Sequence, residues 1–237
     1  MQGWDLRRWT GVVGFVWVVV QVVGVVLFLV AGNPPDFGDA EKFTGWIKTN
    51  SGLLMGDAFL TGIGTLPLLG LFVGVRSIVR SAGEDWEWAA ALFYGAGTVT
   101  IAVGIVGAAA EATSVFVSGS GTEPTTVRAA WAATEMLLTF IYFPSVLVTG
   151  IVGYAAYRTG ILPRWFAWLS GAAAVLELVA GLTIFGGTGS SGPIGLLPLI
   201  LGALPTFVWV ITLSSVLVGR PASPVRLPLS GAARPRA

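Results

Sequence analysis

Histidine and cysteine are both absent from the 237-residue chain. Without them there is no Ser-His-Asp triad, no thiol nucleophile, no disulfide, and no imidazole or thiolate metal site. Histidine-ligated haem is excluded as well. Charge is also scarce. Asp, Glu, Lys and Arg make up 11% of residues, where a soluble domain carries about 25%. The net charge of +1 is too small for phosphate-backbone binding, so nucleic acid is not a partner.

What fills the chain instead is apolar. Hydrophobic residues reach 54% and the mean hydropathy is +0.82. Crossing the hydrocarbon takes about 20 apolar residues. Six stretches qualify: 11–31, 53–75, 88–110, 128–154, 164–185 and 194–218. The first follows Arg7 and Arg8 as a signal peptide would, but its core is about twice the usual length and it reads as a retained helix. The fold expected is all-α, a polytopic bundle of six transmembrane helices over 1–219. An interfacial outer segment occupies 33–52, and a disordered basic cytoplasmic tail, 220–237, touches anionic lipid.

Orientation follows from the basic residues. One side receives Arg7, Arg8, Arg76, Arg80, Arg158, Arg164, Arg220, Arg226, Arg234 and Arg236; the other receives Lys42, Lys48 and Arg128. That asymmetry places both termini in the cytoplasm and the chain, multi-pass, in the inner (plasma) membrane of a bacterium. Trp4, Trp9, Trp86, Trp88, Trp165, Trp168, Tyr154 and Tyr157 gather near the same boundary as interfacial anchors. Reporter fusions after Gly38, Gly121 and Gly189 should read periplasmic, and fusions after Ala82, Gly160 and Gly219 cytoplasmic.

Two loops stand out. After Pro34-Pro35, Phe43, Trp46 and Ile47 fall on one helical face with Asp39 as N-cap, so a short helix is expected. It either covers the outer end of the bundle or rests on lipid. The second loop holds Gly187-Thr188-Gly189-Ser190-Ser191-Gly192, a literal G-x-G-x-x-G. A dinucleotide fingerprint needs a strand before it, so this is a turn.

Four acids lie in spans two to five: Asp57, Glu111, Glu135 and Glu177. Intramembrane acids are costly and usually face the protein interior. At about 1.5 Å of rise per residue, all four fall in the outer half. Glu111 falls at or just above the outer end of its span. Each shares a stripe with small or polar residues, such as Gly104, Gly107 and Ser114 for Glu111, and Ala173, Ala180 and Gly181 for Glu177. Pro144 breaks the fourth span below Glu135 and frees the carbonyl of Phe140. Arg128, two turns before Glu135, is the one outer base on a helix with an acid. Two readings stand: neutral acids hydrogen-bonded between helices, or a cavity that binds a proton, a cation or an amine. Its candidate wall is Asp57, Glu111, Glu135, Tyr142, Glu177 and Arg128. Glu135 and Glu177 are expected across the span four–span five interface, with Tyr142 below them.

No catalytic residue, cofactor or metal site is assigned. An intramembrane aspartyl protease needs two aspartates, and only Asp57 lies in a span. A retinal pigment needs a lysine in a helix, and both lysines are in the outer loop. The reading is a non-enzymatic membrane protein that binds or carries a small molecule, cation or proton. Its alternative is an accessory subunit whose glycine face at Gly70 and Gly74 packs against partner membrane subunits.

The run Gly150-Ile151-Val152-Gly153-Tyr154-Ala155-Ala156-Tyr157-Arg158-Thr159-Gly160-Ile161-Leu162-Pro163-Arg164 resembles the Tyr-Arg-Ser-Gly-x-Leu-Pro-Arg junction of the domain-of-unknown-function 4386 family of bacterial six-helix membrane proteins. Thr159 takes the serine position. The likeness covers about 40 residues; it implies a six-helix fold and brings no activity.

Overall fold

The computed structural model describes residues 6–187, Gly192 and 196–219. The basic tail and most of the Gly187–Gly192 turn lie outside the described residues, as does Trp4. Among the described residues every regular element is helical. In order they are α1 (Leu6–Ala31), α2 (Ala40–Thr49), α3 (Ser51–Arg80), α4 (Glu87–Gly119), α5 (Pro124–Phe140), α6 (Tyr142–Thr159), α7 (Arg164–Leu182), the short turn α8 (Leu196–Pro198) and α9 (Leu204–Gly219). A 3₁₀ turn, Glu84–Trp86, leads into α4, and a π turn, Leu199–Ala203, leads into α9.

Six segments are long and apolar enough to span a membrane: Leu6–Ala31, Ser51–Arg80, Glu84–Gly119, Pro124–Thr159, Arg164–Phe185 and Leu199–Gly219. Their outward faces carry large apolar side chains, including Val19, Leu29, Leu66, Phe116 and Trp168, each more than 60% exposed. No water-facing surface is built this way. The protein is a multi-pass integral membrane protein.

The spans form a closed ring in chain order. α1 packs on α3, α3 on α4, α4 on α5 and α6, α6 on α7, and α7 on the π turn and α9; α9 returns to α1. Each consecutive pair of spans packs side by side. At the arginine-rich end, Gly160 takes a left-handed φ of +70° and closes α6 through its N–H to the Ala156 carbonyl, 3.1 Å. The Thr159 hydroxyl accepts from the Ile161 N–H at 3.3 Å, so a hydroxyl residue belongs at that position.

Glycines set the α1–α3 distance. A Cβ on Gly70 would stand 3.0 Å from Val13, and one on Gly74 would overlap the Thr10 side chain. The glycine face expected to meet a partner subunit is thus occupied by α1, because small residues let two backbones of the same chain approach. Gly74→Ala should cost about 1–3 kcal/mol of stability through overpacking. Thermal unfolding in detergent should show the loss, while Gly95→Ala, with nothing within 4 Å of its new methyl, should leave the midpoint unchanged.

Helix α2 covers the end of the bundle opposite the arginine-rich one, with its apolar face packed on protein. Phe43 and Ile47 are 1% and 0% exposed and pack with Leu54, Val115, Val127 and Trp131. Trp46 donates its ring N–H to the Ala31 carbonyl at 3.0 Å, tying α2 to the end of α1. Asp39 caps α2, accepting from the Lys42 N–H at 3.1 Å and pairing with its ammonium at 2.8 Å. Those hydrogen bonds hold the Asp39 carboxyl below the usual carboxylate range. The cap is therefore present above the ordinary Asp value and fails only as pH falls through the lower folded one. Asp39→Ala should loosen the first turn of α2, read as faster hydrogen exchange confined to α2.

A second, larger apolar cluster fills the arginine-rich half, around Phe72, Phe93, Phe166, Val152 and Trp209. Between the two clusters lies a polar layer, and the four acids are in it.

Candidate functional site

Proline and glycine shape this layer before any side chain reaches it. Pro144 has no N–H to return to the Phe140 carbonyl, and the fourth span breaks there: α5 ends at Phe140 and α6 starts at Tyr142. Pro198 and Pro205 bracket the π turn of the sixth span. The two interruptions meet. The Tyr142 ring lies against the backbone of Gly202, where any Cβ would overlap it. Irregular backbone at membrane depth is found where it is buried in protein or lines a cavity.

A central cavity of about 330 Å³ opens beside them, and every span contributes to its wall. Trp17 and Gln21 come from α1, Phe72 from α3, Glu135 from α5, Glu177 from α7, and Phe207 from α9. Tyr142 lines it from α6. Of the expected site residues, the structure brings Glu135, Tyr142 and Glu177 onto this one wall.

The two wall acids differ in their surroundings. Glu177 has no exposed surface, and both of its oxygens are held: Thr149 of α6 at 2.8 Å and Thr206 of α9 at 2.9 Å. It clasps three spans. Glu135 is half-buried, and one of its oxygens accepts from the Trp131 ring N–H at 3.0 Å. Trp131 in turn stacks edge-on with Phe43 and Trp46 of α2, at 5.8 and 5.7 Å between centroids. Helix α2 therefore positions the residue that orients Glu135.

Most hydroxyls around the cavity are already spent as donors. Thr100, Thr139 and Ser145 give their protons to the carbonyls of Ala96, Glu135 and Ile141 at 3.0, 2.9 and 2.9 Å. The Trp209 ring N–H goes to Ser170 Oγ at 2.9 Å. What these hydroxyls offer the interior is lone pairs. No Lys or Arg among the described residues lines the cavity.

Asp57, Glu111 and Arg128 are placed elsewhere. Glu111 is not at the end of its span, because α4 runs to Gly119 and carries the acid about 12 Å inside. It is 6% exposed. Its Oε1 has no hydrogen-bond partner. Asp57, half-buried, sits over α1 where a Cβ on Gly24 would stand 2.6 Å from its Oδ1. Arg128 turns away from all of them. Its guanidinium donates to the carbonyls of Phe37 and Gly38 at 3.2 and 3.1 Å and lies over the Phe37 ring. Loop carbonyls without partners attract it more than an acid two turns away.

Sequence reasoning passed over Gln21, the one amide in the first span, and the bracketing of Gly202 by Pro198 and Pro205. Both signals were present in the chain. A separate hollow on the lipid side, between α3 and α4, is walled by Met55, Phe59, Ile63 and Ile105 and is apolar. No known protein-family model, no curated protein and no solved structure matches the chain.

Proposed function

We propose that the central cavity binds a small organic cation, an apolar body with an ammonium head, with Glu135 as its counter-charge. The wall carries the argument: aromatic rings and hydroxyl lone pairs, an acid with one oxygen still to be paired, and no basic side chain among the described residues. Such a surface repels an anion and attracts a donor or a cation. Trp17 and Phe207, 5.3 Å apart at their centroids, offer ring faces for the apolar body or the head. Glu177, satisfied on both oxygens, positions the spans and does not serve as the ligand's partner.

Carriage across the membrane is part of the proposal. It is supported by the paired interruptions of spans four and six beside the cavity, a feature of carriers with broken helices. Placement in a bacterial inner membrane rests on the arginine asymmetry. Membership of the domain-of-unknown-function 4386 family rests on the junction at 150–164.

Benzyltrimethylammonium is a suitable probe because its charge is permanent. Titrated into the purified full chain and followed by tryptophan fluorescence, it should bind saturably. Its neutral isostere neopentylbenzene and the anion benzoate should bind at least tenfold more weakly. Equal affinity for neopentylbenzene would reduce the site to an apolar void and contradict the proposal.

A further inference from the structure

Gln21 is the one amide inside a membrane span, and among the described residues it makes no hydrogen bond. Its side chain lines the central cavity from α1, the same cavity that Glu135 lines from α5. Gly64 of α3 gives it a berth: a Cβ there would stand 2.5 Å from the amide nitrogen. An amide has two donors and an acceptor, and at membrane depth each one left without a partner is costly. Two neighbours on the wall are also unspent. The Trp17 ring N–H, one turn away on α1, and the Thr61 hydroxyl of α3 make no hydrogen bond among the described residues either. Across the cavity the protons are already given away, those of Thr100, Thr139 and Ser145 to carbonyls of their own helices. Free donors therefore gather on the α1–α3 side.

Donors that find no acceptor in the protein call for one in the ligand. That acceptor is a neutral oxygen. No Lys or Arg among the described residues lines the cavity, so a carboxylate would enter it unpaired. We infer that Gln21 is a specificity-determining residue, which receives a hydroxyl group of the ligand while the ligand's ammonium lies at Glu135. A hydroxyl suits an amide because each both donates and accepts. The ligand class narrows accordingly, from any organic cation to an amino alcohol with an apolar body. A site built to bond a hydroxyl discriminates against the analogue without one, because its own polar groups are then left unpaired. This inference rests on the reading of the cavity as a cation site.

The test titrates the purified full chain calorimetrically with benzyltrimethylammonium and its 3- and 4-hydroxy derivatives, in neutral buffer that keeps the phenols protonated. At least one hydroxy derivative should bind wild type roughly three- to tenfold more tightly than the parent, the gain of one well-made hydrogen bond. Gln21→Met, unbranched and apolar, should abolish that gain and bind the parent cation as wild type does. Its thermal midpoint without ligand should be no lower than that of wild type, because no hydrogen bond within the protein is lost. Gln21→Leu stands in if the methionine variant does not fold. No gain from either hydroxyl in wild type, or a gain that survives the substitution, would overturn the assignment. So would a gain lost only together with a fall in midpoint in both variants, since the amide would then be holding helices and not ligand. The neutral compounds neopentylbenzene and 3- and 4-neopentylphenol separate this inference from the cation reading. If benzyltrimethylammonium does not bind but a phenol outbinds neopentylbenzene only when Gln21 is present, the cation reading fails and Gln21 keeps its role. Saturable binding of none of these probes would overturn both.

Discussion

Glu135→Gln should weaken benzyltrimethylammonium binding by roughly ten- to a hundredfold, the about 1.5–3 kcal/mol that a charged partner contributes in a protein interior. Neopentylbenzene should bind the variant as it binds wild type. The contrast separates charge from shape, because glutamine keeps the volume and keeps an oxygen to accept the Trp131 ring N–H. The fold around Glu135 is therefore preserved while its charge is removed. Calorimetric titration of the two probes into both proteins checks the four affinities. An equal loss for the neutral probe would mean that the substitution had changed the cavity and not its charge.

Glu177 should respond in the opposite way. Glu177→Ala removes a fully buried side chain and leaves a void where α6, α7 and α9 meet, so it should lower stability by roughly 2–5 kcal/mol. Glu177→Gln should stay within about 1 kcal/mol of wild type. The proton count explains why. Thr149 and Thr206 also reach the carbonyls of Ser145 and Gly202, at 3.0 and 2.9 Å, so two hydroxyl protons face four acceptors. An amide brings two protons of its own to that arrangement. Thermal unfolding of both variants in the same detergent provides the comparison. If alanine and glutamine were equally mild, Glu177 would not clasp α6, α7 and α9.

The sequence revealed the spans because membrane length demands long apolar runs, and each of the six lies where such a run was read. A constant rise per residue also put Glu135 and Glu177 at similar heights, and the structure brings both onto the wall of one cavity. Glu111 was misplaced for a definite reason. Ala110-Glu111-Ala112-Thr113-Ser114 looks like the end of an apolar run, yet α4 continues to Gly119 because Ser114 and Ser118 give their hydroxyl protons to carbonyls of their own helix at 2.7 Å. The partners of Arg128 were beyond reach for another reason. They are backbone carbonyls about 90 residues away, and a carbonyl has no signature in sequence. Closure of the ring by α1 against α9 is likewise tertiary. Gly11 and Gly14 announce a close contact, but not that Ser214 makes it.

The central claim is that the acid-walled cavity holds an organic cation, and the most direct measurement of it is where one binds. A structure of the full chain with 4-bromobenzyltrimethylammonium, its bromine located by anomalous scattering, gives that position. The account predicts bromine inside the ring of spans, with the ammonium beside Glu135 and an aromatic ring centroid within about 6 Å of it. Bromine only in the lipid-side hollow of Met55, Phe59 and Ile105, or around the outer belt, would contradict it.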